Sequence, residues 1–314
     1  MIVVTGGLGF IGSNLVHALN ARGRDDVIVV DDFTDGHKMA NVRDATICDY
    51  HDRHEFLGRF ERLARTGTGI DVVCHLGACS DTTEWDGRRM MSDNFAYSRD
   101  LLELCDARAI PFVYASSAAV YGLHERCVEE PRSEAPLNVY GYSKLAFDQH
   151  VRQRMAHARA RIVGLRFFNV YGPREQHKAR MASVAFHFDA QLRQHGAVRL
   201  FGASHGVGPG EHRRDFIHLD DFVDQPLWFG EADDVAGIFN CGTGQAATFN
   251  EVARAVIDWH GHGDIEYIPF PADLIDAYQA YTLADMSRTR AAGYARVQRP
   301  VAQGVRDYLD WLNR

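Results

Sequence analysis

Seven residues, Gly6-Gly7-Leu8-Gly9-Phe10-Ile11-Gly12, constrain this chain more than any others. They follow Met1-Ile-Val-Val-Thr5, an apolar, β-branched run that reads as a strand buried on both faces. They open a helical pattern that continues to about Arg22. Glycines at 6, 9 and 12 permit a tight turn, close approach of backbone to a pyrophosphate, and close packing of helix on strand. The positive end of that helix, with Phe10 and Ile11 at its start, faces the phosphates. A second strand, Val27 to Val30, ends in Asp31-Asp32, where a ribose-binding carboxylate is expected. Strand, glycines, helix, strand and acid in this order point to a dinucleotide-binding βαβ unit.

Further along, Asp71 to His75, Pro111 to Ala115 and Arg161 to Arg166 read as strands, and Asn94 to Ala107 and Ser143 to Ala158 as helices. This alternation predicts an α/β fold: a Rossmann-like, doubly wound parallel sheet with a smaller α/β substrate-binding domain. A chain of 314 residues has room for both. The expected division is 1–168 plus 214–240 for the dinucleotide-binding domain and 169–213 plus 241–314 for the substrate-binding domain. Val301 to Leu312 reads as a last helix packed on the body, and the Gly-rich stretch Gly202 to His212 as a mobile surface loop.

Ligands of such sheets lie beyond the carboxyl ends of the strands. His75 is followed by Leu76-Gly77-Ala78-Cys79, residues small enough for a cofactor to lie against backbone; Asn94 joins this candidate cofactor set. Ala115 is followed by Ser116 and Ser117, each of which either bonds a substrate hydroxyl or caps a turn. Arg166 is followed by Phe167-Phe168, then Asn169, a candidate for substrate, and Val170, a candidate for cofactor.

Tyr140-Gly-Tyr-Ser-Lys144 places a phenol and an ammonium four apart on one helix face. The cation favours a phenolate, so Tyr140 is expected to exchange a proton nearer neutrality than its ordinary value of ~10. That suits a base that strips an alcohol proton while hydride leaves the same carbon. The spacing alone is common; behind a dinucleotide-binding opening it points to a redox-type site. Asp31 and Asp32 favour the free ribose hydroxyl of NAD, whereas Lys38 and Arg53 favour the extra phosphate of NADP. Residue chemistry leaves that choice open.

The net charge of −8 argues against a nucleic-acid partner, and no apolar run approaches the ~20 residues that span a bilayer. The first strand begins at Met1, so no signal peptide is expected and a cytoplasmic enzyme is. The six cysteines form no Cys-x-x-Cys pair and read as buried or incidental thiols. The sixteen histidines include His205, His212, His260 and His262, which form no familiar ligand set; they read as surface residues, and no metal is expected.

The glycine turn, the paired serines and Tyr-x-x-x-Lys together resemble the extended short-chain dehydrogenase/reductase superfamily along the whole chain. Longer stretches sharpen the match. Asp81 to Gly87, Pro173 to Lys178, Met181 to His187, Asn240 to Gly244, Tyr267 to Pro271 and Tyr278 to Thr282 resemble the ADP-L-glycero-D-manno-heptose 6-epimerases. The resemblance implies bound NADP, with Lys38 and Arg53 near its phosphate, and a nucleotide-sugar substrate. It implies that Lys178 acts opposite Tyr140 as a second acid/base and also touches cofactor, while Lys144 orients the nicotinamide ribose. Asn169, Arg180, His187, Phe201, Ser204, Arg214 and Tyr278 are implied on the substrate side. Arg180 stands where some relatives are expected to have a small hydroxyl residue, and the stretch Gly202 to His212 looks longer than theirs. Arg214 suits a diphosphate by its bidentate fork, or else pairs with Asp215. A homo-oligomer, a pentamer by resemblance, is expected. Another nucleotide-sugar enzyme, such as a 4-epimerase, is the alternative; Ala118-Ala119 stands where a dehydratase carries an Asp-Glu pair. A non-catalytic dinucleotide sensor is disfavoured by the intact Tyr140 and Lys144.

Overall fold

The computed structural model describes residues 1–65, 69–272, 275 and 278–314. The chain begins β1 (Ile2–Thr5), α1 (Phe10–Ala21), β2 (Val27–Asp31), β3 (Asp49–Asp52), α2 (Arg53–Arg65) and β4 (Val72–His75). It continues through α3 (Gly87–Met90), α4 (Tyr97–Asp106), β5 (Phe112–Ser117), α5 (Val139–Met155) and β6 (Ile162–Phe167). Then come β7 (Asn169–Tyr171), α6 (Val184–His195), β8 (Ala197–Phe201), β9 (Arg213–His218), α7 (Leu219–Glu231) and β10 (Gly237–Cys241). The last elements are β11 (Ala246–Thr248), α8 (Phe249–His260), β12 (Asp264–Ile268), α9 (Ser287–Ala291) and α10 (Val301–Leu312).

Two compact units result: Met1–Val120 with Asn138–Arg166 and Val223–Phe239, and Tyr121–Leu137 with Phe167–Phe222 and Asn240–Arg314. The first is built on a seven-stranded parallel sheet, order β10-β6-β5-β4-β1-β2-β3. Strands β1, β2, β4 and β5 are buried at every residue, which is why they read as continuous apolar runs without alternation. Phe56 and Phe60 of α2 and Leu101 and Leu102 of α4 close over the sheet among its fully buried side chains.

The glycine turn decides how closely α1 meets β1. A Cβ on Gly12 would lie 2.1 Å from the Gly6 carbonyl oxygen, and one on Gly7 2.9 Å from a Val29 methyl. Backbone cannot yield as a side chain does. Gly12→Ala is expected to cost roughly 1–3 kcal/mol of stability. It should also strip the protein of dinucleotide, as thermal unfolding and cofactor content after purification would check.

Element bounds moved where capping decides them. Helix α5 starts at Val139, not Ser143, because Asn138 Oδ1 accepts from Gly141 N at 2.8 Å and sets the N-terminus. Strand β5 runs on to Ser117, so both serines lie in the strand's end. The short strand β3 carries no strong pattern and escaped the sequence reading; so did α2, although Phe56, Leu57, Phe60 and Leu63 recur there at helical spacing.

In the second unit, β7, β9 and β11 form a three-stranded sheet, and β8 pairs in parallel with β12. Its core joins α6, α8 and α10, with Phe188, Leu192, Val252, Val305, Tyr308 and Leu309 buried. Residues 214–222 belong here and not with the seven-stranded sheet, because β9 pairs with β7 on one side and β11 on the other. The 202–212 loop is not a loose excursion. Ser204 and Val207 exchange backbone hydrogen bonds, Gly210 N donates to Phe201 O, and Asn250 Nδ2 donates to Pro209 O. Among the described residues, no helix is long and apolar enough to cross a membrane.

Candidate functional site

In the first unit, the helix that follows the glycines is left open at its positive end. Its N-cap is Gly9, which has no side chain to cap with, and its first turn has no acid. Gly6 takes φ 68°, and a Cβ there would meet Gly77 N at 2.7 Å. The glycine turn and Leu76-Gly77 therefore approach backbone to backbone. An open helix start beside a surface without side chains fits a pyrophosphate.

A directed chain of hydrogen bonds holds that approach. Gly77 N donates to Thr5 Oγ1 at 3.0 Å, and Thr5 Oγ1 lies 2.7 Å from His75 Nδ1. His75 Nε2 lies 2.8 Å from Ser98 Oγ, which donates to Asn94 O at 2.6 Å. Since Ser98 gives its proton to a carbonyl, His75 carries its proton on Nε2 and accepts from Thr5 on Nδ1. Burial lowers the His75 pKa to about 3, so the ring stays neutral. Its side chain is therefore spent inside the protein. Asn94 is similarly engaged: it accepts from Cys79 N and donates to Cys79 O and Ser143 Oγ. It ties the 76–79 turn to α5.

At the end of β2 the carboxylates expected to bind ribose already have partners within the protein. Asp31 is buried; Oδ2 accepts from Leu8 N at 2.8 Å and Oδ1 from Lys38 Nζ at 3.0 Å. Asp32 accepts from Thr34 N, and its backbone oxygen accepts from Lys38 Nζ at 2.9 Å. Arg53 is turned to Asp93, 2.6 Å away, and lies over the Tyr97 ring.

Tyr140 and Lys144 lie on α5, four apart. Adjacent strand residues point to opposite faces, and the serines of β5 separate accordingly. Ser117 hydrogen-bonds the Tyr140 hydroxyl, while Ser116 Oγ donates to Asp148 Oδ2 at 2.9 Å. Ser117 is thus the serine beside the tyrosine, and Ser116 is committed to the interior. Asp148 also accepts from Tyr114 and pairs with Arg166 at 2.8 Å, both residues fully buried. The expected lowering of Tyr140 is corrected: as a residue it is partly exposed, but burial of the hydroxyl raises its pKa, and the Ser117 bond only opposes this. Lys144 Nζ donates to Ala115 O at 2.9 Å, and burial lowers its pKa to about 8.

In the second unit, His187, Phe201 and Tyr278 line one cavity of about 310 Å³ with Gln191, His212 and Phe249. Buried Arg214 lies 4.9 Å from the Tyr278 ring centroid and 5.6 Å from that of Phe249. The Asp215 alternative fails: that carboxylate accepts from Thr243, Gly244 and Ala284 on the other side of the strand. Ser204 Oγ bridges His205 and His212. His212 is buried, not a surface histidine, because Phe270 and Tyr278 pack against it. His260 is nearly buried too, on Asp189 at 2.8 Å. Asn169 is exposed at the start of β7, and Val170 beside it is half-buried. Lys178 lies in the 3₁₀ turn Gln176–Met181, where burial lowers its pKa against the pull of Glu175. Arg180 is exposed, with its carbonyl 3.3 Å from His187 Nε2.

Residues 2–242 match the NAD dependent epimerase/dehydratase family. The chain belongs to that family. It is 58% identical over 311 residues to the ADP-L-glycero-D-manno-heptose-6-epimerase of Alkalilimnicola ehrlichii, across 99% of this chain and 97% of that protein. The solved Helicobacter pylori ADP-L-glycero-D-manno-heptose-6-epimerase is 30% identical, with a TM-score of 0.86 over 99% of this chain and 95% of that one. A UDP-N-acetylglucosamine 4-epimerase from Methanobrevibacter ruminantium, in complex with UDP-N-acetylmuramic acid, is 25% identical. Its TM-score is 0.84, over 99% and 97% of the two chains. The expected Rossmann-like parallel sheet is the fold of these relatives. Within this family fold, sequence reasoning missed Thr5, Ser98, Asp148, Gln191, His212 and Phe249. Only Thr5, directly before Gly6 at the end of β1, carried a local signal.

Proposed function

We propose that this protein inverts C6″ of ADP-D-glycero-D-manno-heptose to give the L-glycero epimer. Full-length identity of 58% to the Alkalilimnicola enzyme carries the reading. The chemistry of Tyr140, Lys144 and Lys178 is what such a reaction needs. A bound nicotinamide dinucleotide supplies the reversible hydride acceptor. Tyr140, steadied by Ser117, accepts the proton of the C6″ hydroxyl as that carbon becomes a ketone. Because C6″ is exocyclic, rotation about C5″–C6″ presents the opposite face without release of the sugar. Lys178 then gives a proton to the carbonyl oxygen as the carbon is reduced, and both side chains re-equilibrate with solvent. Lys144 keeps a positive charge near the tyrosine and orients the nicotinamide ribose. The cavity lined by His187, Phe201 and Tyr278 takes the nucleotide end, with Arg214 on the diphosphate and Ser204 and Asn169 on the substrate side.

For the cofactor we favour NADP over NAD. The resemblance to the heptose epimerases carries this choice, and Lys38, held against Asp31 at 3.0 Å, is the cation it sets near the ribose phosphate. Identifying the dinucleotide released on denaturation tests this choice.

The test of function is proton NMR of ADP-D-glycero-D-manno-heptose with purified protein and no added cofactor, in D₂O. The expected result is an equilibrium mixture of C6″ epimers without deuterium at C6″. No conversion, even with NADP⁺ supplied, would overturn the assignment and direct the search to 4-epimerisation.

A further inference from the structure

In the second unit, a histidine outside the cavity ties two of its walls together. His205 Nε2 lies 2.6 Å from the backbone oxygen of Ile275, and its Nδ1 lies 2.9 Å from Ser204 Oγ. Ser204 Oγ lies 2.8 Å from His212 Nε2. A carbonyl only accepts, so His205 must carry its proton on Nε2. In the tautomer whose single proton sits on Nε2, Nδ1 accepts from Ser204, and His212 donates to Ser204. With that tautomer every proton in the relay has one direction.

The relay joins two segments. One is the 202–212 loop; the other carries Phe270, Ile275 and Tyr278. The rings of His205, Phe270 and Tyr278 pack together, with His205 5.5 Å from Phe270 and Phe270 5.1 Å from Tyr278. His212 and Tyr278 both line the cavity, and Tyr278 faces the Arg214 guanidinium. His205 itself is exposed and absent from the cavity wall. It holds its place at φ 53°, a left-handed conformation that a residue other than glycine adopts when its surroundings demand it. Neither catalysis nor the fold's core uses this residue.

We propose that His205 is a positioning residue for the nucleotide end of the substrate: its hydrogen bonds latch the Tyr278 segment to the 202–212 loop and so keep Tyr278 against Arg214. The inference rests on the reading that this cavity takes the nucleotide. Without His205, which packs 6.2 Å from the Tyr278 ring, Tyr278 is no longer held against Arg214 before the substrate arrives, so affinity falls while the chemistry at the sugar is untouched.

The experiment is calorimetric titration of the full-length protein with ADP, comparing wild type, His205→Ala and His205→Gln. Steady-state kinetics on the nucleotide sugar and thermal unfolding accompany it. Glutamine keeps one donor and one acceptor at the ends of its amide, as the neutral imidazole does. Loss of the latch is expected to weaken ADP by about tenfold in His205→Ala. KM should rise with kcat and the unfolding midpoint near wild type, and His205→Gln should recover most of the affinity. Equal ADP affinity in wild type and His205→Ala, or a glutamine variant as weak as alanine, overturns the latch. Wild-type protein that binds no ADP overturns the nucleotide reading itself and the latch with it, an outcome the variant comparison does not mimic.

Discussion

Tyr140→Phe is expected to lower turnover by about 10²–10⁴-fold, the usual contribution of a positioned acid/base. The fold and the bound dinucleotide should remain. The change removes one hydroxyl and its bond to Ser117, while the ring keeps its place in the first turn of α5. The stability cost should stay near ~1 kcal/mol, the net worth of one hydrogen bond. Ser117→Ala, by contrast, leaves the phenol in place and removes the influence that opposes its raised pKa. A smaller loss of turnover is expected there. Stopped-flow turnover, cofactor content and thermal unfolding on the same preparations separate these effects. A Tyr140→Phe enzyme with near-normal turnover would remove the tyrosine from the chemistry.

The site was legible wherever the signal was local. The glycine turn announces itself because only glycines tolerate the Gly6 and Gly12 approaches, and β-branched runs flank it. Helix α10 matched its expected bounds, Val301 to Leu312, because its apolar spacing is regular and Pro300 precedes it. What escaped depends on partners distant in sequence. Two adjacent serines are chemically alike, and only the pleat of β5 decides that Ser117 meets Tyr140 and Ser116 meets Asp148. Nothing in the residues of β9 names β7 and β11 as its neighbours. Burial was the least legible quantity. A Tyr-x-x-x-Lys spacing suggests a lowered phenol, yet desolvation by the assembled fold raises it. The same effect brings Lys144 down to about 8.

Lys178 is where the two-base proposal is most exposed to test, and Lys178→Met is expected to lower epimerisation by about 10²–10³-fold. Methionine keeps the length and apolar body of the side chain, so the Gln176–Met181 turn should survive. The backbone there is already strained: Ala179 takes φ 47°, ψ −121°. A conformation of this kind costs of order 1–3 kcal/mol and persists where the surroundings over-determine it. Burial lowers the Lys178 pKa, which suits it to hand over a proton nearer neutrality than an exposed lysine does. If Tyr140 and Lys178 serve opposite faces of the ketone, the variant should be asymmetric. Starting from the epimer whose hydroxyl Tyr140 deprotonates, the oxidation half should proceed, seen as reduced-nicotinamide absorbance in a single turnover, while the other epimer fails to form. Starting from the opposite epimer, neither signal should appear. Near-normal turnover in Lys178→Met, or equal half-reactions from both epimers, would leave Tyr140 as the sole acid/base and assign Lys178 to holding the substrate.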